Sequence, residues 1–358
     1  MQVDAFLTMM VRAGGSDAHL KVGKPPGVRI AGEIEPQGTT MLRPEHTEAI
    51  ARALLTKEDW EKFDAAGDLD CSYSVPGLAR FRVNVMRQRG SVSLVLRYIP
   101  ERIPSFEELG LPEICKTLVS KPRGLVLVTG PTGSGKSTTL AAMIDLINST
   151  SKGHVLTMED PIEFLHKDKN CYINQREIGS DTKGFTEALR RAMRQDPDVI
   201  LIGELRDLET IALAVTAAET GHLVLGTLHT TSAAKTIDRI VNVFPSEQQT
   251  QIRMQLAGTL QGIICQNLLP KVGGGRIAAL EILVGTDPVR AIIRENKMAQ
   301  LQTAMQTGKK HGMQTLEDNL SGLVAAGKVT HEQATAKANS PELVRQGEPA
   351  PAPVAARA

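Results

Sequence analysis

The strongest constraint on this chain lies in residues 130–137, which read GPTGSGKS. The segment fits the pattern GxxxxGK[ST], in which glycines let backbone N–H groups close around phosphate oxygens. It directly follows a continuous apolar run at residues 125–129 and directly precedes a helical pattern, which is the strand–loop–helix context that such a loop needs. The alternative, a purely structural glycine-rich turn, does not explain both flanking elements. The sequence therefore predicts a phosphate-binding loop.

The loop pattern also assigns chemistry to individual residues. We expect Lys136 to reach the β- and γ-phosphates of a nucleotide and the Ser137 hydroxyl to bind Mg²⁺. The N-terminus of the following helix adds a favourable field for an anion. The predicted nucleotide-binding residues are Gly130, Pro131, Thr132, Gly133, Ser134, Gly135, Lys136, Ser137 and Thr138.

The rest of the pattern indicates two domains, as expected for 358 residues. Apolar runs alternate with helical stretches after residue 122, which predicts a mostly parallel sheet covered on both faces. Shorter alternating runs before residue 100 predict an α+β domain with an antiparallel sheet. The predicted boundaries are 1–99 for the first domain, 100–122 for a linker with one short helix, 123–344 for the second domain with C-terminal helices, and 345–358 for a disordered Pro/Ala-rich tail.

Three local predictions can be compared directly with a structure. Residues from Pro44 to about Ala66 are expected to form one helix. The segment that begins with a capping box at Ser246 and Gln249 and continues through Leu260 is also expected to be helical, as are the later segments.

A predicted hairpin places two arginines opposite each other. Apolar and polar residues alternate in both 78–88 and 91–98. A two-residue turn at Arg89-Gly90 would pair residues whose numbers sum to 179. In this register the apolar residues of the two strands lie opposite one another. Arg82, however, lies opposite Arg97, and facing like charges are unfavourable. Either both side chains are simply solvated or the pair faces an anion.

Acidic residues follow the predicted strands of the second domain. The run DVILIG at residues 198–203 delivers Glu204, and the run ending at Met158 delivers Glu159, Asp160 and Glu163. Because ligands of α/β sheets bind at the carboxyl ends of strands, these carboxylates are candidates for holding Mg²⁺ or orienting water. His222 and His229 bracket another strand, where a structural and a functional role are equally consistent with the residues.

Composition excludes several classes of protein. A formal net charge of +1 and 3% aromatic residues argue against a nucleic-acid translocase, which needs a basic groove or stacking aromatics. The four cysteines form no CxxC pair, so a cysteine zinc ribbon is not expected. No apolar run approaches the roughly 20 residues of a transmembrane helix, and no secretory signal is evident.

Four ordered segments resemble a known family. GPTGSGKST, TMEDPIEF (157–164), GELRD (203–207) and GHLVLGTLHTTSAAKTIDRI (221–240) are similar to the Walker A, Asp, Walker B and His boxes of secretion-superfamily hexameric ATPases. Within that superfamily the chain looks most like the type IV pilus retraction ATPases. The resemblance covers nearly everything from residue 16 to about residue 340.

The resemblance implies an α/β fold with a PAS-like α+β N-terminal domain, a RecA-like P-loop NTPase domain and a ring of six identical chains. Arg82 and Arg97 match paired arginines that touch nucleotide in such rings, which favours the anion-facing interpretation. Glu204 is the preferred water-orienting carboxylate, with Glu163 the other candidate. The expected catalytic set is Lys136, Glu163, Glu204, His229, Arg82 and Arg97, and the expected metal set is Ser137, Glu159, Glu163 and Glu204.

Two details select within the superfamily. Extension and secretion ATPases usually carry a tetracysteine zinc insertion after the segment that corresponds to residues 266–270, and a longer N-terminal region; neither is seen here. Residues 288–295 (PVRAIIRE) resemble the AIRNLIRE motif of retraction ATPases, with departures at Pro288, Val289, Ala291 and Ile292. Arg290, Arg294 and Glu295 are kept and are expected to serve a partner, although an ordinary amphipathic surface helix would show the same pattern.

The expected function is therefore a cytoplasmic, Mg²⁺- and ATP-dependent hexameric motor for pilus retraction and twitching motility. It is expected to dock on an inner-membrane platform protein at the cytoplasmic face and to act indirectly on pilin, with no nucleic acid as partner. A pilus-extension or type II secretion ATPase is the alternative within the superfamily. A nucleotide-binding regulator of another motor is the non-enzymatic alternative.

Overall fold

The computed structural model describes residues 2–100 and 102–346. The chain divides into two compact units, Met1–Arg102 and Ile103–Ala358. Most of the predicted tail lies outside the described residues. None of the helices in the described ranges is both long and apolar enough to cross a bilayer.

The first unit is an α+β unit with one antiparallel sheet in the order β3-β2-β1-β6-β5-β4. Its core packs helix α1 and the two following helices against one face of the sheet. The elements are α1 Val3–Arg12, β1 Asp17–Leu20, β2 Gly27–Ile30, β3 Glu33–Pro36, α2 Pro44–Leu54, α3 Lys57–Ala66, β4 Asp68–Val75, β5 Ala79–Gln88 and β6 Ser91–Ile99.

The prediction of one helix between Pro44 and Ala66 is wrong, because the chain forms two. Leu55 adopts an extended backbone, and Thr56 begins the second helix by accepting a hydrogen bond from the Asp59 N–H at 3.1 Å. A hydroxyl at the N-cap satisfies a backbone donor that the helix itself cannot. The periodic pattern continues across this break, so periodicity alone does not reveal it.

The predicted β5–β6 hairpin is confirmed, including its register. Arg82 pairs with Arg97, and Phe81 pairs with Tyr98. Arg89 and Gly90 both have positive φ angles, of 51° and 77°. Two such residues match the right-handed twist of the strands, which explains how arginine is accommodated in this turn.

The second unit contains a seven-stranded sheet in the order β13-β12-β7-β11-β10-β8-β9. All neighbours are parallel except β12 and β13. Its strands are β7 Gly124–Thr129, β8 His154–Glu159, β9 Tyr172–Glu177, β10 Val199–Ile202, β11 Leu223–Leu228, β12 Leu260–Pro270 and β13 Arg276–Val284. Its helices are α4 Phe106–Leu109, α5 Glu113–Val119, α6 Lys136–Thr150, α7 Phe185–Ala192, α8 Leu208–Glu219, α9 Ala233–Asn242, α10 Ser246–Thr259, α11 Asp287–Arg294, α12 Leu301–Thr307, α13 Leu316–Ala325 and α14 His331–Thr335, with 3₁₀ turns at Met298–Gln300, Gly308–His311 and Pro341–Leu343.

Both faces of this sheet are buried, as predicted. Successive residues of β7 enter opposite cores: Leu125 and Leu127 pack in one, and Val126 and Val128 in the other. Side chains of a strand alternate between faces, so a strand covered on both sides must be apolar throughout.

Three further predictions for this unit need correction. Residues 260–284 are not helical but form β12 and β13, because β7 and β13 supply pairing partners that local periodicity does not show. There is no capping box at Ser246, which is the first helical residue, and the Gln249 side chain instead donates to the Phe244 carbonyl at 3.1 Å. The segment expected to carry one short helix forms α4 and α5, whose apolar residues pack into the core of the second unit.

Candidate active site

Four neighbouring parallel strands of the second sheet end at one edge. In spatial order they are β7, β11, β10 and β8. Gly130 directly follows β7 and His229 directly follows β11, while Glu204 lies two residues beyond β10 and Glu159 is the last residue of β8. Parallel strands present their carboxyl ends at the same edge, where α/β sheets bind ligands. The sheet order thus brings together residues that lie far apart in the sequence.

The predicted phosphate loop connects β7 to α6. Gly135 has a φ of 89° and immediately precedes Lys136, the first residue of the helix. The Lys136 ammonium donates to the carbonyls of Gly130 and Pro131 at 2.9 and 3.2 Å. Burial lowers the pKa of Lys136, while the Glu204 and Glu163 carboxylates act in the opposite direction. The structure therefore holds the ammonium against the start of the loop, within the field of both candidate carboxylates.

Glu204 is held between two basic side chains. Its Oε2 accepts a hydrogen bond from Arg206 at 2.7 Å, and its Oε1 lies 3.3 Å from Nε2 of His229. The hydrogen bond from Arg206 is the largest influence on the pKa of Glu204 and, with His229, holds it below its ordinary value despite partial burial. Glu204 is therefore a fixed, ionised carboxylate at neutral pH, which suits it to orient water or to contact a metal ion.

Glu159 and Glu163 differ in their surroundings. The Glu159 carboxylate accepts hydrogen bonds from Thr157 Oγ1 at 2.7 Å and Gln175 Nε2 at 3.1 Å, and burial raises its pKa. Glu163 is exposed. The oxygen of Glu159 that faces Thr157 and Gln175 is thus already engaged within the protein, whereas Glu163 remains open to solvent.

Sequence reasoning missed three of these partners. Arg206 and Thr157 lie inside segments that it had singled out, so their positions could have been noticed. Gln175 lies on β9, a strand that was not predicted, and only the sheet order places it beside Glu159. His222 lies at the start of β11, away from the carboxyl edge, and its Nδ1 is 3.0 Å from the Ala217 carbonyl oxygen.

The two facing arginines belong to the first unit, and each meets an acidic residue there. Arg97 donates from Nε to Asp17 at 2.8 Å, and Arg82 Nε lies 3.7 Å from Asp70. Asp17 is only 5% exposed. Burial opposes its charge, but hydrogen bonds from Arg97 and Ser16 outweigh that and lower the pKa of Asp17. The two arginines are therefore held differently, Arg97 by a buried carboxylate and Arg82 by an exposed one.

The arginines of the predicted partner motif also diverge. Arg290 turns inward from α11 and donates to four backbone carbonyls, those of Gly285, Ala257, Gly258 and Leu260. Arg294 and Glu295 are exposed, and Glu295 pairs with Lys297 at 2.6 Å. The structure thus gives Arg290 an internal bonding role that the motif pattern did not reveal.

Residues at this edge could contribute to a magnesium site. In the described part of the chain, no group of three or more His, Cys, Asp or Glu side chains is arranged to hold a metal ion alone. Mg²⁺ in nucleotide sites is typically held by one or two protein oxygens together with phosphate oxygens and water. The Ser137 hydroxyl near the start of α6 and the Glu204 carboxylate are a donor set of that kind.

Comparison with known proteins gives consistent results. The family model described as "Type II/IV secretion system protein" matches residues 68–274, more than half of the chain. The type IV pilus retraction ATPase PilT of Pseudomonas aeruginosa is 52% identical over 96% of this chain and 99% of its own length. A twitching motility protein of Neisseria gonorrhoeae is 47% identical over 88% of this chain and 85% of its own length.

Among solved structures, the crystal structure of the pilus retraction motor PilT with bound ADP matches with a TM-score of 0.91. It is 46% identical in sequence, and the match covers 96% of this chain and 98% of that one. Fold and sequence comparisons therefore agree, and the chain is a member of the type II/IV secretion system protein family.

Proposed function

We propose that this protein is an ATP-hydrolysing motor that powers type IV pilus retraction. One observation carries the proposal: the phosphate loop with Lys136 and the ionised Glu204 lie at the same edge of the sheet, in a chain 52% identical to a retraction ATPase over nearly its full length. The loop binds the nucleotide, and the carboxylate activates its hydrolysis.

The chemistry follows from the charges at this edge. Glu204 orients a water molecule for in-line attack on the γ-phosphate, and His229 and Arg206 hold its carboxylate in place. Lys136 stabilises the charge that develops on the phosphate oxygens, and Arg82 and Arg97 are the proposed sources of further positive charge. Ser137, with Glu204 or Glu163 nearby, would hold Mg²⁺, which would neutralise part of the phosphate charge. Glu159 supports the same edge from the end of β8, where its carboxylate accepts hydrogen bonds from Thr157 and Gln175.

The working form in this proposal is a homohexamer in the cytoplasm. It docks at the cytoplasmic face of the inner membrane on a platform protein and acts through it on pilin. The exposed Arg294 and Glu295 are the proposed contacts with such a partner, since Arg290 is engaged within the fold. The proposed domain limits remain 1–99 and 123–344. Residues 100–122 lie between them in the sequence, and their helices α4 and α5 pack with the second unit.

A feature of the second unit disfavours an extension or secretion ATPase. The connection between β12 and β13 is a short turn of residues 271–275, with three consecutive glycines at positive φ. The four cysteines, at positions 71, 115, 171 and 265, all lie outside this turn. The tetracysteine zinc insertion expected at this place in those ATPases is therefore replaced by a tight hairpin.

Substitution of Glu204 tests the proposed chemistry. Glu204→Gln should bind ATP with nearly unchanged affinity but hydrolyse it at least about 100-fold more slowly, because the amide does not orient water as a carboxylate does. Glu219→Gln is the matched control, since Glu219 lies at the C-terminal end of α8 and accepts a hydrogen bond from Gln255 that glutamine can also accept. Steady-state phosphate release and equilibrium nucleotide binding would be measured for both. Near-normal turnover by Glu204→Gln would refute the assignment.

A cellular experiment separates retraction from extension. Cells that carry only Lys136→Ala should display abundant pili and fail to twitch, because assembly continues while retraction stops. Cells without surface pili would instead identify an extension motor.

A further inference from the structure

Gln266 lies beside the phosphate loop although it comes from a distant part of the sequence. Strand β12 runs parallel to β7 and pairs with it up to Cys265 opposite Thr129, the last residue of β7. Strand β12 continues to Pro270. Gln266 therefore lies where β7 has ended and the loop has begun, and it is only 3% exposed.

The Gln266 side chain joins β12 to the helix that follows the loop. Its Oε1 accepts a hydrogen bond from Thr139 Oγ1 at 2.8 Å. Thr139 lies in the first turns of α6 and is 1% exposed. A hydrogen bond between two buried polar groups fixes their geometry, because breaking it leaves both without water.

Two glycines of the loop approach the same residue. A Cβ atom at Gly130 would lie 2.2 Å from the Gln266 carbonyl oxygen, and one at Gly135 would lie 2.8 Å from Gln266 Nε2. Both glycines also have positive φ angles, of 144° and 89°. The first and last glycines of the loop therefore pack closely against Gln266, and neither position accepts a side chain.

We propose that Gln266 is a positioning residue that holds the phosphate loop in its nucleotide-binding shape. The inference deepens the proposed function and rests on it, since it assumes that the loop binds nucleotide phosphates. A neutral amide is suited to this place: it accepts from Thr139 and presents N–H donors on the side of Gly135. Glutamate at this position would add a negative charge beside the phosphate site. Methionine would fill similar space but could neither accept the hydrogen bond from Thr139 nor present N–H donors.

Binding of ADP to the full-length protein tests the proposal. Gln266→Met should weaken ADP binding about tenfold, since it removes the buried hydrogen bond to Thr139 that ties β12 to the helix following the loop. Gln266→Glu should weaken it further. The matched control is Gln261→Met, which removes the same side chain from the same strand, where it donates to the Arg123 carbonyl at 3.0 Å. Gln261→Met should leave ADP affinity unchanged.

The thermal midpoint without nucleotide separates positioning from general stability. We expect Gln266→Met to lower this midpoint more than Gln261→Met, because the hydrogen bond that it removes is buried. Dissociation constants for ADP are therefore compared at a temperature at which both variants are folded, and there they should differ. Equal ADP affinities in the two variants would overturn the inference. If Gln266→Met does not fold, Thr139→Val carries the test: a several-fold loss of ADP affinity supports the inference, and unchanged affinity refutes it. Failure of the unmodified protein to bind ADP would refute the proposed function itself.

Discussion

Arg290→Ala should destabilise the second unit far more than Arg294→Ala, although both arginines belong to the same short helix. Arg290 donates to carbonyls of Ala257 and Gly258 at 2.6 Å, Gly285 at 2.8 Å and Leu260 at 3.1 Å. Two of these carbonyls belong to the last turn of α10, where no helical N–H is available to them. One guanidinium therefore ties the end of α10 and the start of β12 to α11.

The size of the effect follows from these four bonds. A hydrogen bond to a charged group contributes about 1.5–3 kcal/mol. Water can replace the guanidinium at the partly exposed carbonyls once the side chain is truncated, so the net loss is well below the sum. We expect Arg290→Ala to lower the free energy of unfolding by about 3 kcal/mol. For a unit of this size, a loss of that magnitude lowers the thermal midpoint by roughly 6–12 °C.

Thermal unfolding followed by circular dichroism measures this loss. Arg294 is exposed, so Arg294→Ala should change the free energy of unfolding by no more than about 0.5 kcal/mol. Arg290→Lys should fall between the two, because one ammonium cannot reach all four carbonyls. Equal midpoints for Arg290→Ala and Arg294→Ala would refute the reasoning and return Arg290 to the set of surface residues available to a partner.

Two further outcomes follow from the geometry. Because the folded pKa of Asp17 lies below its ordinary value of 3.8, its charge stabilises the folded state above about pH 5, and this contribution is lost as the pH falls through the lowered value. Urea unfolding between pH 3 and pH 6 should therefore show Asp17→Asn less stable than the unmodified protein at pH 6, with the difference narrowing as the pH falls toward 3. Asp70→Asn, at an exposed pair, should differ little throughout. Gly130→Ala should abolish ADP binding, because its Cβ would lie 2.2 Å from a backbone oxygen. The Cβ of Gly133→Ala meets no atom within 4 Å, so this variant should show only the roughly 1–2 kcal/mol strain of a positive φ. Similar ADP affinities for the two variants would contradict this account.

Local sequence was sufficient to predict the elements that have a strong repeating pattern. The apolar run before the phosphate loop, the hairpin with Arg82 opposite Arg97 and the strand before Glu204 all lie where predicted. In each case the backbone itself sets the period at which side chains alternate. A buried strand or a two-residue turn can therefore be recognised from the local residue pattern.

Predictions were wrong where a distant partner or a single cap decided the structure. The break at Thr56 depends on one hydroxyl, and β12 depends on pairing with β7, more than a hundred residues earlier. Neither a cap inside a continuing periodic pattern nor a long-range strand pairing changes the local hydrophobic period.

The sequence by itself determined the chemistry of this protein, because the phosphate loop is contiguous and carries its lysine and serine at fixed spacing. Only the tertiary structure decided which other residues serve that loop. The order of the parallel strands places Glu204 between Arg206 and His229, and the extension of β12 past the end of β7 places Gln266 against two loop glycines. The tertiary structure also turned Arg290 inward and left Arg294 exposed. These outcomes depend on strand order and helix packing. Both bring together residues that lie far apart in the sequence, and no local pattern predicts that such residues are in contact.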